Sequence, residues 1–163
     1  MRILVVSDTH GLIEPVITFL ETRRERVDEI WHLGDHYKDA VKLHKRTGIP
    51  VHAVKGNCDM IAHVPEDMIL TVCNHKILLT HGHLYGVKYS LLRLHLKAVE
   101  EKIQLVCFGH SHVATQSFES GVTLFNPGSP SNPRLGSFPT VGIVEISDSG
   151  IETKIIPLDM NKL

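Results

Sequence analysis

The amino-acid sequence predicts an α/β fold in which two packed, mixed β-sheets are flanked by helices. In roughly the first two thirds of the chain, short apolar runs alternate with segments of helical periodicity. In the last third the helical periodicity disappears, and short strands follow one another through turns rich in Gly, Pro and Ser. Alternating strands and helices followed by strands alone favour two stacked sheets with helices on their outer faces.

Five short apolar runs are the predicted strands of the first part of the chain. Runs of this length are typical of strands that are buried on both faces. The runs are Ile3–Val6, Glu29–Leu33, Val51–Val54, Lys76–Leu79 and Leu105–Phe108. The fourth run belongs to a predicted hairpin that turns near Asn74, because Asn tolerates a left-handed backbone. The last third adds predicted strands around Phe118 and at Val122–Phe125, Thr140–Ile146 and Ile151–Ile156.

Three segments between these strands have the periodicity of amphipathic helices. Apolar residues fall on one face from Leu12 to Leu20, and a second helix is predicted at about 37–46. The third helix has a stripe at i, i+4, i+7 and i+11 that consists of Leu92, Leu96, Val99 and Ile103, and we expect Leu92, Leu96 and Val99 to face the core. With 163 residues, the chain is long enough for one hydrophobic core and too short for two, so residues 1–163 are predicted to form a single domain.

The composition argues against several classes of function. Seventeen Lys and Arg residues stand against eighteen Asp and Glu residues, and no basic run is present, so neither nucleic acid nor a membrane is the expected partner. No apolar run approaches the ~18 residues that span a bilayer. The three cysteines are an odd number without zinc-ribbon spacing, which indicates a reduced, cytoplasmic protein. Twelve histidines are present, and histidine is the commonest metal ligand.

Each of the five apolar runs ends in a short polar motif that could bind metal. In α/β sheets, ligands bind beyond the carboxyl ends of the strands, so these motifs would meet in one crevice if the strands are neighbours. The glycines would let the backbone turn sharply there. In chain order, the motifs are Asp8-Thr9-His10, Gly34-Asp35, Gly56-Asn57-Cys58, His81-Gly82-His83 and Gly109-His110-Ser111-His112.

The ligand types in these motifs indicate a cationic site for phosphate esters. Carboxylate, imidazole and amide oxygen suit Mn²⁺, Fe and Zn²⁺. Two divalent ions would keep the site positively charged beside two aspartates and a hydroxide, so that it attracts a phosphate ester. Two metals about 4 Å apart can hold the attacking and leaving oxygens of an in-line displacement, and they lower the pKa of bound water.

In this order the five motifs resemble those of the calcineurin-like metallophosphoesterases. The short length and the Cys58-Asp59 pair make the chain most similar to the small YfcE-type phosphodiesterases. A late family loop is matched by Asn126–Ser129 and by Pro133-Arg134, so the resemblance covers nearly the whole chain. The resemblance implies a metallo-dependent phosphatase-like α+β sandwich, which agrees with the fold predicted from the strand and helix pattern.

The resemblance also implies a role for each ligand. One metal would be held by Asp8, His10, Asp35 and His112, and the other by Asp35, Asn57, His81 and His110. Asp35 would bridge the two ions, and both Asp35 and Asn57 would act in catalysis through the metals. A metal-bridging hydroxide would attack a phosphodiester, or a phosphomonoester, in line. Mn²⁺ is the expected ion, with Fe, Ni or Zn as alternatives.

Cys58 departs from the family pattern, because many members have His after the asparagine. That His can protonate the leaving oxygen or hold the phosphate, whereas a thiol is a poorer general acid near neutrality. We therefore expect better turnover of aryl esters than of esters with poor leaving groups. Cys58 could also be an inert turn residue or a metal ligand.

Substrate contacts are predicted mainly from the late loop. The resemblance implies that Gly128, Ser129 and Arg134 face the phosphate, although a stretch with four prolines from Asn126 to Pro139 is on its own a surface loop. His83 could contact substrate or support His81.

Simpler interpretations compete with several of these assignments. Asp8 and Asp35 could merely cap helices, and Asn57 could be only a turn residue. A scaffold is the second candidate function, because the superfamily includes a retromer subunit that has lost metal ligands. A nuclease is the third, disfavoured by the lack of a basic groove. The expected partner is a small phosphoester, and homo-oligomers are possible because small members of the family often self-associate.

Overall fold

The computed structural model describes residues 1–23 and 26–159 of the chain. Within these ranges, strands alternate with helices as far as the third strand, a hairpin of two strands precedes the third long helix, and five strands follow that helix, as the sequence pattern predicts. The elements are β1 (Arg2–Val6), α1 (Glu14–Arg23), β2 (Glu29–His32), α2 (Tyr37–Thr47), β3 (Val51–Ala53), β4 (Asp67–Val72), β5 (His75–Thr80), α3 (Leu92–Glu100), β6 (Leu105–Cys107), β7 (Thr115–Glu119), β8 (Val122–Asn126), β9 (Thr140–Ser147) and β10 (Gly150–Pro157).

The strands form two mixed five-stranded sheets, which confirms the predicted fold class. The first sheet has the order β10-β9-β1-β2-β3, with β1, β2 and β3 parallel and with β9 and β10 antiparallel to their neighbours. The second has the order β4-β5-β6-β8-β7, with β5, β6 and β8 parallel. Antiparallel strands at the sheet margins allow short hairpin connections, whereas the parallel centre requires crossovers.

The apolar runs are continuous because both faces of the central strands are buried. In β1, Ile3 and Val5 pack between the two sheets, together with Trp31 and Phe125. The alternate residues of β1 pack instead in an outer layer with apolar side chains of α1 and α2. Side chains of successive strand residues point to opposite faces, so one apolar run serves two cores.

The prediction that this stripe of α3 faces the core is wrong, because the helix buries a different face. Leu92, Leu96 and Val99 are 60%, 56% and 46% exposed, whereas Leu94 and Ala98 are fully buried. The helix carries two apolar rows at helical spacing, and the second one packs against the outer face of the second sheet. Periodicity identifies both rows but cannot tell which of them meets a sheet. In the described ranges, no helix has the length and hydropathy of a membrane-spanning segment.

The stretch from Asn126 to Pro139 is also only partly the surface loop that its composition predicts. Residues 126–130 are buried, and those that follow are exposed or half-buried until Thr140. Proline and glycine indicate that the chain turns here, but they do not indicate which residues of the loop are buried.

A buried polar network joins β2 to the loop after β1 and to α2. Thr9 donates its hydroxyl proton to Asp39 (2.9 Å), so its oxygen accepts from His32 Nε2 (3.1 Å). The Nδ1 atom of His32 is therefore an acceptor, and it has no hydrogen-bond partner among the described residues. Burial lowers the pKa of His32 to about 4, although the charges of Asp39 and Asp59 oppose that shift.

The low pKa of His32 predicts a loss of stability in acid. The unfolded chain binds this proton first as the pH falls, so stability that is present above about pH 6.5 is lost towards pH 4. In chelator-treated protein, we expect the free energy of unfolding of the wild type to fall by about 2 kcal/mol more than that of His32→Gln between pH 7 and pH 5. Urea unfolding at each pH measures this difference.

The exposed His63 provides the control for this comparison. His63→Gln is expected to keep the pH dependence of the wild type. Parallel pH profiles for the wild type and His32→Gln would contradict the assignment of a neutral, buried imidazole.

Candidate metal centre

The five polar motifs follow strands that are neighbours, but in two sheets rather than in one. Strands β1, β2 and β3 are adjacent in the first sheet, and β5 and β6 are adjacent in the second. Hydrogen bonds join the two sets of strand ends: His81 Nδ1 lies 2.7 Å from Leu33 O, and the amide of His110 donates to Asp8 Oδ2 (3.0 Å). All five motifs therefore meet at one end of the sandwich.

Four of the predicted ligands form a first cluster. One ligand atom from each of Asp8, His10, Asp35 and His112 lies within 4.8 Å of the other three. His112 Nε2 is 3.2 Å from Asp8 Oδ1 and 3.3 Å from His10 Nε2. His10 Nε2 is 3.8 Å from Asp35 Oδ2. This is the same set that the resemblance implies for one metal ion.

The other predicted ligands surround His81 Nε2 and form a second cluster. That nitrogen lies 3.2 Å from Asn57 Oδ1, 3.4 Å from Asp35 Oδ1 and 3.2 Å from His110 Nδ1. Asp35 thus presents one carboxylate oxygen to each cluster. Its side chain is buried, so the arrangement is enclosed by protein on the inner side of the crevice.

The tautomers of two histidines favour metal binding. His81 Nδ1 and His112 Nδ1 face the carbonyl oxygens of Leu33 and Asn132, at 2.7 and 2.6 Å. A carbonyl only accepts, so both Nδ1 atoms carry protons, and each Nε2 atom points into its cluster, where it can bind a cation once it carries no proton. Asp8 Oδ1 is buried there without a hydrogen-bond partner in the described part of the chain. The donor set therefore fits cations.

The pKa values of three histidines in the site are shifted from the usual value, each for an identifiable reason. Burial lowers the pKa of His10, and burial followed by the charges of His81 and Lys88 lowers the pKa of His110 to about 4. Burial opposes the protonation of His112, but the nearby carboxylate of Asp8 outweighs burial and raises the pKa of His112. A cation that binds between Asp8 and His112 would displace that proton.

Five of the seven predicted ligands have a left-handed backbone. Such φ values are uncommon outside glycine and cost roughly 1–2 kcal/mol each. They turn the side chains sharply at the strand ends, and they persist only where the surrounding structure enforces them. The φ angles are 56° for Asp8, 46° for His10, 56° for Asp35, 66° for His110 and 59° for His112.

Asp39 holds the loop that carries His10. Its buried carboxylate accepts hydrogen bonds from the amide of Gly11 (2.7 Å), from Thr9 (2.9 Å) and from Lys42 (2.8 Å). Burial favours the neutral acid, but these bonds outweigh it, and the pKa of Asp39 lies below its usual value. The carboxylate stays charged and fixes a loop that otherwise has few backbone partners.

Asp59 has the same role for the loop that carries Asn57. It accepts from the amides of Gly56 (3.0 Å) and Tyr37 (2.7 Å), which ties this loop to the start of α2. A β-carbon at position 56 would collide with the carboxylate of Asp35, so this approach requires glycine.

Asn126 supports the last motif. Its amide donates to Gly109 O (3.0 Å) and to Ser111 Oγ (2.9 Å). The supporting roles of Asp39, Asp59 and Asn126 are absent from the sequence prediction, because each residue also fits a helix start or a turn. Their common signal is a polar side chain close after a predicted strand.

The residues predicted to contact substrate lie at different depths. Ser129 is fully buried and donates to the carbonyl of Asp8 (2.8 Å), and the amide of Gly128 donates to Asn126 (2.9 Å). Both residues are buried beneath the loops that carry the predicted ligands, so this turn does not face solvent. Arg134 is exposed, and its amide donates to His112 O (3.4 Å). The ring of half-buried His83 lies 5.3 Å from that of His81.

Solved structures share this fold. A protein of Streptococcus pneumoniae described as a predicted phosphoesterase superposes with a TM-score of 0.79 at 31% identity, over 96% of this chain and 88% of that chain. Vps29 from Entamoeba histolytica, solved in complex with Zn²⁺, gives a TM-score of 0.76 over 98% of this chain and 100% of that chain. The identity with Vps29 is 22%, so that likeness shows the fold alone.

Sequence comparisons give the family. The probable metallophosphoesterase YsnB of Bacillus subtilis is 38% identical over 135 residues, which are 83% of this chain and 78% of the relative. The phosphodiesterase YfcE of Escherichia coli is 32% identical over 171 residues, 89% of this chain and 88% of the relative. The domain model of the calcineurin-like phosphoesterase superfamily matches residues 1–149. The chain belongs to the calcineurin-like phosphoesterase superfamily.

Proposed function

We propose that this protein is a phosphodiesterase that uses two divalent cations held on either side of Asp35. The observation that carries this proposal is the geometry of that carboxylate, whose two oxygens face two separate clusters of ligands. A single mononuclear site would need only the first cluster and would leave His81, His110 and Asn57 without a reason to converge. The name of the Escherichia coli relative, a phosphodiesterase, supports a diester substrate, with monoesters as a further possibility.

The ligand chemistry supports a small set of cations. Asp8, His10, Asp35 and His112 would hold one ion, and Asp35, Asn57, His81 and His110 the other. Mixed imidazole and oxygen ligands suit Mn²⁺, the ion that we propose, and Fe, Ni or Zn are the alternatives. When bound, such ions supply positive charge to the phosphate and lower the pKa of coordinated water.

The chain's own residues orient this chemistry. Carbonyl oxygens fix the ring planes of His81 and His112, and Ser129 fixes the backbone of Asp8. We therefore assign Ser129 a positioning role rather than a substrate contact. Arg134 is exposed beside His112 and remains the proposed phosphate contact of this loop, because guanidinium and phosphate pair strongly.

A scaffold function is the main alternative, since Vps29 has the same fold. The convergence of all seven predicted ligands favours an enzyme, because a purely structural role would not maintain a costly left-handed backbone at five of them. A formal net charge of -1 disfavours a polymeric nucleic acid as substrate. We retain the cytoplasm as the proposed compartment and a homo-oligomer as a possible assembly.

Removal and return of metal tests the proposed activity. Chelator-treated protein is expected to hydrolyse bis(p-nitrophenyl) phosphate only after Mn²⁺ is added. Asp35→Asn is expected to lower kcat by about a hundredfold or more, because it removes the charge shared by both cations. Colorimetric release of p-nitrophenol measures both effects.

The exposed Asp148 provides the matched control. Asp148→Asn should retain the activity of the wild type. Mn²⁺ binding without turnover in the wild type would favour the scaffold instead, and full activity in Asp35→Asn would exclude the shared carboxylate as the centre of the site.

The side chain at position 58 predicts a preference among leaving groups. Desolvation, followed by the hydrogen bond and charge of Asp35, raises the pKa of the Cys58 thiol to about 11, so it donates a proton poorly. Aryl esters need little protonation of the leaving oxygen, whereas alkyl esters need more. We expect Cys58→His to raise kcat/KM about tenfold for an alkyl phosphodiester and less for bis(p-nitrophenyl) phosphate.

Steady-state kinetics of both esters, with Cys58→Ser as control, measures the ratio of the two kcat/KM values. The control removes the thiol without adding an imidazole, so its ratio should stay close to that of the wild type. If Cys58→His leaves the ratio unchanged, position 58 does not influence the leaving group.

A further inference from the structure

A turn that follows the fourth motif carries a lysine to the rim of the metal centre. After one turn of 3₁₀ helix at His83–Tyr85, the amides of Tyr89 and Ser90 both donate to Gly86 O (2.9 and 3.3 Å). These bonds close a compact turn over residues 86–90. Lys88 lies in the middle of that turn and is exposed.

The turn is packed directly against the segment that carries the ligand His81. Val87 is buried, and its methyl groups occupy the space beside Gly82, where a β-carbon would lie 2.9 Å from Val87 Cγ2. Val87 also packs in the same cluster as Phe108, which immediately precedes the motif of His110. The turn that carries Lys88 is thus anchored against the segments that carry the two histidines of the second cluster.

The charge of Lys88 is not neutralised by an ion pair in the described part of the chain. The lysines that do pair with a carboxylate there are Lys42, Lys76 and Lys97. On the other side of the crevice, exposed Arg134 donates its amide to the carbonyl oxygen of His112 (3.4 Å).

We propose that Lys88 binds the phosphate of the substrate on the side of the second cluster, opposite Arg134. An exposed cation that forms no ion pair with the described residues, on a turn anchored against the segments of two ligand histidines, is well placed to pair with an anionic oxygen. It also supplies positive charge on a rim where Cys58 provides only a neutral thiol. This assignment rests on the proposed function, and it adds a specificity residue to the site.

Titration of Mn²⁺-loaded protein with inorganic phosphate tests this role without requiring turnover. We expect Lys88→Ala to weaken phosphate binding by about tenfold, and Lys88→Arg to stay within about threefold of the wild type. Lys154→Ala, which removes an exposed lysine of β10, should bind phosphate as the wild type does. Calorimetry gives the dissociation constants of the wild type and the three variants.

A second titration with Mn²⁺ separates a substrate contact from a structural effect. Lys88→Ala should bind Mn²⁺ as tightly as the wild type or more tightly, because a nearby positive charge is removed. In the diester assay, KM should rise about tenfold while kcat changes by less than about threefold. Weaker Mn²⁺ binding, or a loss confined to kcat, would overturn the assignment.

The two proposals can fail separately. Phosphate affinity and KM that are unchanged in Lys88→Ala, in a wild type that hydrolyses the diester, would overturn the role of Lys88 alone. A wild type that binds phosphate through Lys88 but does not hydrolyse the diester would contradict the proposed function alone. A wild type that binds no phosphate would overturn the role of Lys88.

Discussion

The geometry of the site depends on one buried carboxylate that is shared between two clusters of ligands. Asp35 follows the central parallel strand β2, so that β1 and β3 bring Asp8 and Asn57 to its two sides. One oxygen accepts from the amide of Cys58 (2.9 Å), which fixes the orientation of the carboxylate plane. The close approach of Gly56 makes this possible, since any side chain there would displace the carboxylate. The other ligands are arranged around this fixed group.

Such a site is costly for the folded state, and the surrounding fold offsets that cost. The left-handed backbone at Asp8 and at His10 opposes folding. The sandwich core, with Trp31 and Phe125 fully buried, supplies the apolar burial that stabilises the fold. Buried carboxylates then tie the ligand loops to that rigid core, as Asp39 does.

Most of the fold, and the convergence of the seven proposed ligand side chains, could be predicted from the sequence, because both depend on local patterns. Apolar runs fix the strands, and the polar motifs after them fix which side chains meet at the strand ends. The buried row of α3 could not be predicted, because Leu92 and Leu94 belong to two rows of similar periodicity and only tertiary packing distinguishes them. The burial of Ser129 could not be predicted for a related reason, because the composition of a loop does not indicate which of its residues are buried. Lys88 belongs to none of the predicted motifs, and its position near the site follows only from the contact of Val87 with Gly82 in the structure.

A crystal structure of the Mn²⁺-loaded protein, with anomalous diffraction measured at the manganese edge, tests the central claim most directly. The account predicts two anomalous peaks about 3.5–4 Å apart, one on each side of the Asp35 carboxylate. One peak should lie among Asp8, His10 and His112, and the other near His81. A single peak, or two peaks that do not share Asp35, would contradict the account.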